Sequence, residues 1–128
     1  MSVAKKPIQI PNAPAPVGPY SQAIQKENTL YISGQIPINP NTGLLEMETI
    51  EMATNRVLQN IDALLTEAGF HKDDVVMVSI FMKDLNDFQA MNEIYATYFK
   101  NTAPARQTVE VSKLPLGVNI EISCIAQK

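Results

Sequence analysis

Two charged residues of this chain stand where charge is expensive. Arg106 heads the strand-like run Pro104-Ala105-Arg106-Gln107-Thr108-Val109-Glu110-Val111, and Glu121 sits inside the apolar run Val118-Asn119-Ile120-Glu121-Ile122. A guanidinium is a planar fork of N–H donors that matches a carboxylate in bidentate fashion. A carboxylate among Ile and Val side chains needs a partner or a chemical task, because unpaired buried charge is costly. If the two strands are neighbours, one small site holds an anion clamp and a base. Plainer readings stand beside this one. Arg106 can pair with Glu110 on the same strand face, and Glu121 can be a solvated residue on an open sheet face.

Other polar positions are candidates for the same site. Tyr20 follows Gly18-Pro19 and is held by a stiff turn, which suits a ligand-facing hydroxyl or a wet aromatic at the edge of the core. Gly34, after Ser33, lies inside a strand pattern, where it lets a ligand approach the backbone or marks a bulge. Asn92 falls within the apolar stripe of a helix and must satisfy its amide there, on a ligand or on a neighbouring loop. Cys124 alternates with Ile122 and Ala126 and reads as a small core residue. His71 has no second His or Cys nearby, and no metal motif, phosphate loop or dinucleotide fingerprint occurs.

The elements that must position these residues are legible from periodicity. Pro7 to Pro19 is rich in proline and alanine and reads as an extended arm leaning on the body of the protein. Tyr20–Lys26 and Thr29–Gln35 form a hairpin turned at Glu27-Asn28, and Leu44–Met47 is a short third strand. Thr49–Ala68 is the clearest helix, with Thr49 as N-cap, Ile50, Ala53, Val57, Ile61, Leu64 and Ala68 as its stripe, and Gly69 as its stop. Asp74–Met82 is a strand with Val76, Val78, Ile80 and Met82 on one face and Val75, Met77 and Phe81 on the other. A second helix runs Asn86–Phe99, with Asn86 and Gln89 as a capping box and Phe88, Met91, Tyr95 and Phe99 as its stripe. Arg106–Val111 and Val118–Gln127 form a closing hairpin. Two helices cover one face of one sheet, so the second apolar face of Asp74–Met82 needs another subunit.

Composition narrows the class. The 128 residues form one domain spanning 1–128, with 45% apolar residues and a net charge of -3. That balance argues against a general nucleic-acid binder, which carries a basic face. A lone cysteine excludes an intrachain disulfide and fits a reducing compartment. No stretch is long enough to span a bilayer, and the first residues lack a signal-peptide core, which points to a cytoplasmic protein.

Four markers in order, Gly18-Pro19-Tyr20-Ser21-Gln22-Ala23, Ile32-Ser33-Gly34-Gln35-Ile36-Pro37, Pro104-Ala105-Arg106 and Ile120-Glu121-Ile122, give nearly the whole chain a likeness: it resembles the RidA/YjgF family of reactive-intermediate deaminases. The resemblance implies an α+β, chorismate-mutase-like fold: one mainly antiparallel mixed sheet of about six strands with two helices on one face. It implies association as a trimeric barrel with a cleft at each interface. It also implies hydrolysis of 2-imino acids to 2-keto acids and ammonia without a cofactor. By position, Arg106 and Glu121 are then the catalytic pair, with Tyr20, Ser33, Gly34, Asn92 and Thr108 around the substrate. Thr108 is a departure, since many deaminase members carry cysteine two residues after the arginine. Hydrolysis of an imine by water needs no thiol nucleophile. Two rival readings stay open: a non-enzymatic module that binds small carboxylates, which needs Arg106 but no base, and a nucleic-acid enzyme, which the acidic balance opposes.

Overall fold

A computed structural model describes residues 4–128. Eight regular elements follow in the order β1 (Lys6–Ile8), β2 (Ala23–Lys26), β3 (Thr29–Gln35), α1 (Ile50–Glu67), β4 (Val75–Met82), α2 (Phe88–Tyr98), β5 (Ala105–Glu110) and β6 (Ile120–Gln127). The strands form one six-stranded mixed sheet in the order β1-β2-β3-β6-β4-β5, antiparallel throughout except for the parallel pair β4–β5. Both helices pack against one face, where Leu30, Ile32, Val78, Ile80, Met82, Ile120, Ile122, Cys124 and Ala126 meet Val57, Ile61, Leu64, Met91 and Tyr95.

The local signals account for α1. The Thr49 hydroxyl accepts from the Met52 N–H at 3.0 Å, and Gly69 adopts φ +79 just past the helix end, a conformation that glycine takes without a Cβ penalty. The β2–β3 hairpin turns at Glu27 and Asn28 as its sequence predicts. The second helix begins later than the pattern suggests. A 3-10 turn occupies Leu85–Asp87 and is capped by Asp84, whose carboxylate accepts from the Asn86 N–H, so Asn86 is not the cap.

Three strand expectations are corrected. Leu44–Met47 contributes only an isolated bridge between Leu45 and Ile38, and the remaining strand is instead β1, within the N-terminal arm. Pro7 is tolerated there because β1 is an edge strand, where a missing N–H need not break a ladder. In β4 a bulge between Val75 and Met77 sends Val75 into the core, while Val76 is left exposed on the outside. Finally, β5 and β6 are not a hairpin. The β4–α2–β5 unit is a parallel crossover, and β4 lies between β5 and β6.

The arm is tied down by Gln22, which is 1% exposed. Its Oε1 accepts from the Ile10 N–H at 2.7 Å, and its Nε2 donates to the carbonyls of Ile10, Ala13 and Pro14 at 2.9–3.1 Å. One buried amide thus serves four backbone groups of a segment too rich in proline to pair as a sheet. Gln22→Ala leaves those groups without partners, and each such group costs about 1–3 kcal/mol when buried. We expect the variant to unfold at lower urea concentration and to be cut by protease within residues 9–17 under conditions where the native chain is intact.

Candidate functional site

Tyr20, Ser33, Gly34 and Glu121 converge on one open depression of about 320 Å³, completed by Val17 and Pro115. Each is brought there for a separate reason. The Tyr20 N–H donates to the Gly18 carbonyl at 2.9 Å, a three-residue turn around Pro19. The ring folds back within 3.5 Å of where a Gly18 Cβ would lie, and the Tyr20 hydroxyl accepts from the Val17 N–H at 3.2 Å. Ser33 fastens this turn to β3: its Oγ donates to the Ser21 carbonyl at 2.6 Å, and its N–H donates to the Gln22 carbonyl at 3.0 Å. With that proton committed, the Ser33 oxygen faces other groups as an acceptor.

Gly34 lies in a bulge of β3, where Ile32 pairs with Cys124 and Gln35 with Ile122. The Glu121 side chain occupies the space this glycine leaves open. A Cβ at Gly34 would come within 2.7 Å of Glu121 Cδ and 2.8 Å of its Oε2. The carboxyl is half-buried, and burial raises its pKa above the ordinary carboxylate range. Among the described residues no cation lies within 4.0 Å of it.

Arg106 is elsewhere. It pairs with Val78 across the parallel β4–β5 ladder and so points to the helix side, whereas Glu121 pairs with Phe81 and points to the open side. Within one chain the two groups are on opposite faces, separated by roughly 10 Å along the strands and roughly 10 Å across them from strand spacings. A single chain therefore does not bring the expected pair together. The guanidinium carbon lies 4.8 Å from the ring centre of Tyr95 and 5.5 Å from that of Phe88, both on α2. The plainer alternative, an Arg106–Glu110 pair, does not form. Glu110 accepts from the Leu85 N–H at 2.9 Å instead. Thr108 shares the Arg106 face, opposite Ile80, and its buried hydroxyl has no hydrogen-bond partner among the described residues. Asn92, half-buried, follows Phe88 by four positions and precedes Tyr95 by three, which places it on the same face of α2.

The candidate residues thus fall into two groups on opposite faces: Tyr20, Ser33, Gly34 and Glu121 in one, and Arg106, Thr108 and Asn92 in the other. Sequence reasoning missed Val17 and Pro115 in the first and the two rings beside Arg106 in the second. The spacing of seven between Phe88 and Tyr95 was the available signal for the rings. It reads equally well as core, and Tyr95 is indeed 7% exposed while Phe88 is 37% exposed. A larger groove of about 600 Å³ runs beside the arm, but no titratable side chain lines it, so it offers neither acid nor base. Among the described residues no three His, Cys, Asp or Glu side chains gather to hold a metal ion, and no helix is long and apolar enough to cross a membrane.

Two helices on one face of a six-stranded mixed sheet place the chain in a class of small α+β protein. Residues 10–128 match the family model described as Endoribonuclease L-PSP. The chain is 52% identical to a RutC family protein of Pyrococcus horikoshii, over 97% of this chain and 98% of that protein. It is 41% identical to the mouse 2-iminobutanoate/2-iminopropanoate deaminase, over 98% of this chain and 93% of that one. Among solved structures it is similar to E. coli TdcF with bound serine, at a TM-score of 0.92 and 35% identity, covering 96% of this chain and 98% of the other. The chain belongs to the RidA/YjgF family.

The contact between Gly34 and Glu121 makes a structural prediction. Gly34→Ala forces the far end of a flexible side chain to move, which is cheap, so stability should change by less than about 1 kcal/mol. The carboxyl should swing into solvent and its pKa should fall back toward the ordinary range. A carboxyl-carbon NMR titration of Glu121 in both proteins checks this.

Proposed function

We propose that this protein hydrolyses small 2-imino acids, 2-iminopropanoate and 2-iminobutanoate, to 2-keto acids and ammonia, in a cleft between two copies of the chain. The observation that carries the reading is the pair of half-sites. Glu121 and Arg106 lie on opposite faces, and neither has an oppositely charged partner within 4.0 Å among the described residues. A second copy that contributes its β5 edge to the depression of the first supplies Arg106 to Glu121. The open face offers apolar surface for such a contact, with Tyr31, Val76 and Val109 between 44% and 49% exposed. Three copies arranged as a barrel close this contact on itself, as the family resemblance implies. The serine in TdcF and the imino acids in the mouse enzyme's name share an α-carboxylate, the group a guanidinium fork grips.

The chemistry follows from that geometry. Arg106 binds the substrate carboxylate and fixes the plane of the imine. Asn92 and Thr108 line the same side, and Tyr20, with Val17 beside it, bounds the substrate's aliphatic group. Ser33 accepts a hydrogen bond at the rim. Glu121 holds a water against the imine carbon and takes its proton as the C–O bond forms, while the C=N π pair moves to nitrogen. The proton then passes to the nitrogen of the carbinolamine. The C–N bond breaks as a hydroxyl lone pair forms the C=O bond, Glu121, ionised again, takes the hydroxyl proton, ammonia leaves and the 2-keto acid remains. No cofactor is needed, because the protonated imine carbon is itself electrophilic and the protein's task is orientation and charge balance. The setting we propose is the cytoplasm. A ribonuclease reading of the family description finds little support in a chain of net charge -3.

A coupled assay tests the activity: a dehydratase releases 2-aminoacrylate from serine, and pyruvate appearance is followed with and without this protein. Arg106→Ala removes a clamp worth about 2–5 kcal/mol and should leave no measurable acceleration. Glu121→Gln should lose ~10²–10⁴-fold. Because the two residues belong to different copies in each cleft, mixing the two inactive variants and allowing exchange should restore activity. A mixture that stays inactive after exchange, shown by mass spectrometry of mixed oligomers, would refute the shared cleft.

The raised pKa of Glu121 fixes the sign of a pH effect. The base works ionised, so kcat/KM should fall as pH drops through a value above the ordinary carboxylate range. In the Gly34→Ala protein, whose Glu121 carboxyl is displaced from the water it positions, kcat/KM should fall at every pH, and the remaining activity should show that acid limb at lower pH, measured on the same coupled assay.

A further inference from the structure

We propose that Phe88 and Tyr95 are positioning residues that hold the Arg106 guanidinium by its face, so that its in-plane N–H edge stays presented to the substrate carboxylate. This deepens the reading of Arg106 as the carboxylate clamp and rests on it. A long arginine side chain on an edge strand has many rotamers, and fixing it costs entropy that a clamp would otherwise lose on every binding event. The two rings supply the fixing. They are seven positions apart on α2, two turns along one helix face, with centres 5.5 and 4.8 Å from the guanidinium carbon. Both lie within the range of about 6 Å over which a ring attracts a cation.

Rings suit this role better than a carboxylate would. A guanidinium stacks by its weakly hydrated face, while all five of its donors lie in the plane. A salt bridge from the same chain would occupy those donors and neutralise the charge. Here Glu110, the nearest acid along the strand, is turned to the Leu85 N–H, and no carboxylate lies within 4.0 Å of Arg106 among the described residues. The stripe at 88 and 95 therefore orients the cation without consuming its charge. Tyr95 stays a neutral phenol throughout the working range, since burial pushes its pKa up to about 12 even with Arg106 opposing the shift. Phe88, at 37% exposure, is an apolar ring only partly covered by the fold. Its contact with Arg106 gives that position a task that core packing does not.

The test uses the full chain and Phe88, whose 37% exposure keeps its replacement out of the buried core. Binding of 2-oxobutanoate is titrated by calorimetry, and KM and kcat are measured in the coupled assay, for the wild type, Phe88→Leu, Phe88→Tyr and Arg106→Ala. Phe88→Leu should weaken 2-oxobutanoate binding roughly two- to fivefold and raise KM by the same factor with kcat held, the loss that one ring face accounts for. Phe88→Tyr restores a ring and should restore affinity. Only two arginines occur, Arg56 and Arg106, so the Arg106 Nε–H resonance is readily assigned against an internal control. It should lose ring-current shift in Phe88→Leu while Arg56 does not move. A partly unfolded variant would instead lower kcat at constant KM. If Phe88→Leu binds 2-oxobutanoate as the wild type does while Arg106→Ala does not bind it, the aromatic support is overturned and the clamp stands. If Arg106→Ala binds it normally, the clamp fails and the support with it.

Discussion

A pleated strand sends alternate side chains to opposite faces, and that rule divides the candidate residues of this protein. Counting across the ladder, Val78 and Arg106 face the helices while Phe81 and Glu121 face away. No rotamer change reverses this, because a side chain cannot cross a hydrogen-bonded sheet. The core is built on the same parity. Val78, Ile80, Met82, Ile120 and Ile122 are fully buried under the helices. A one-residue slip of β6 would bring Glu121 into that core and expel Ile120 and Ile122, so the register that stabilises the fold also fixes the carboxylate on the open face.

Each half-site carries a cost that its surroundings limit. Glu121 is held where water only partly solvates it, which favours its neutral form and makes its ionisation work against folding as pH rises. Gly34 gives it room at the expense of a bulge and of the packing a strand side chain supplies. On the other face, the guanidinium replaces part of its hydration with two aromatic faces, and the Thr108 hydroxyl is buried without a partner among the described residues. The arm bound by Gln22 contributes in the opposite direction. Four hydrogen bonds order a proline-rich segment whose far end bears Val17 and then Tyr20, two of the residues that wall the depression.

Local chemistry was the legible part of the sequence. The α1 stripe, the Thr49 cap, the Gly69 stop and the turn at Glu27-Asn28 all depend on neighbours a few residues apart, and all are found. Pairing between distant strands was not legible. Whether β5 joins β6 or β4 depends on the path of α2 across the sheet, which no window of residues encodes, and this decides the face on which Arg106 emerges. The arm was read as extended, but Pro7 concealed a strand because edge pairing leaves no local mark. The gathering of Tyr20, Ser33, Gly34 and Glu121 came from motif order. The role of Val17 and Pro115 did not, since an apolar residue at a rim resembles any other in sequence.

Dividing the charges between faces has a consequence for how such an activity would be controlled. On the proposed arrangement a lone chain holds a base without a clamp and a clamp without a base, so it can neither orient an imino acid nor activate water against it. The same apolar face that carries Glu121 would draw copies together, since covering Tyr31, Val76 and Val109 removes apolar surface from water. Association and the completion of the cleft then become one event, and turnover inherits the concentration dependence of assembly. A site made wholly within one chain would need Arg106 and Glu121 on the same face. If that shared face were the helix side, Glu121 would have to emerge among Val78, Ile80 and Ile122, where an unpaired charge is least tolerated. Sharing the site between copies lets each charge remain at a half-exposed position, and the pair is brought together only where substrate lies between them.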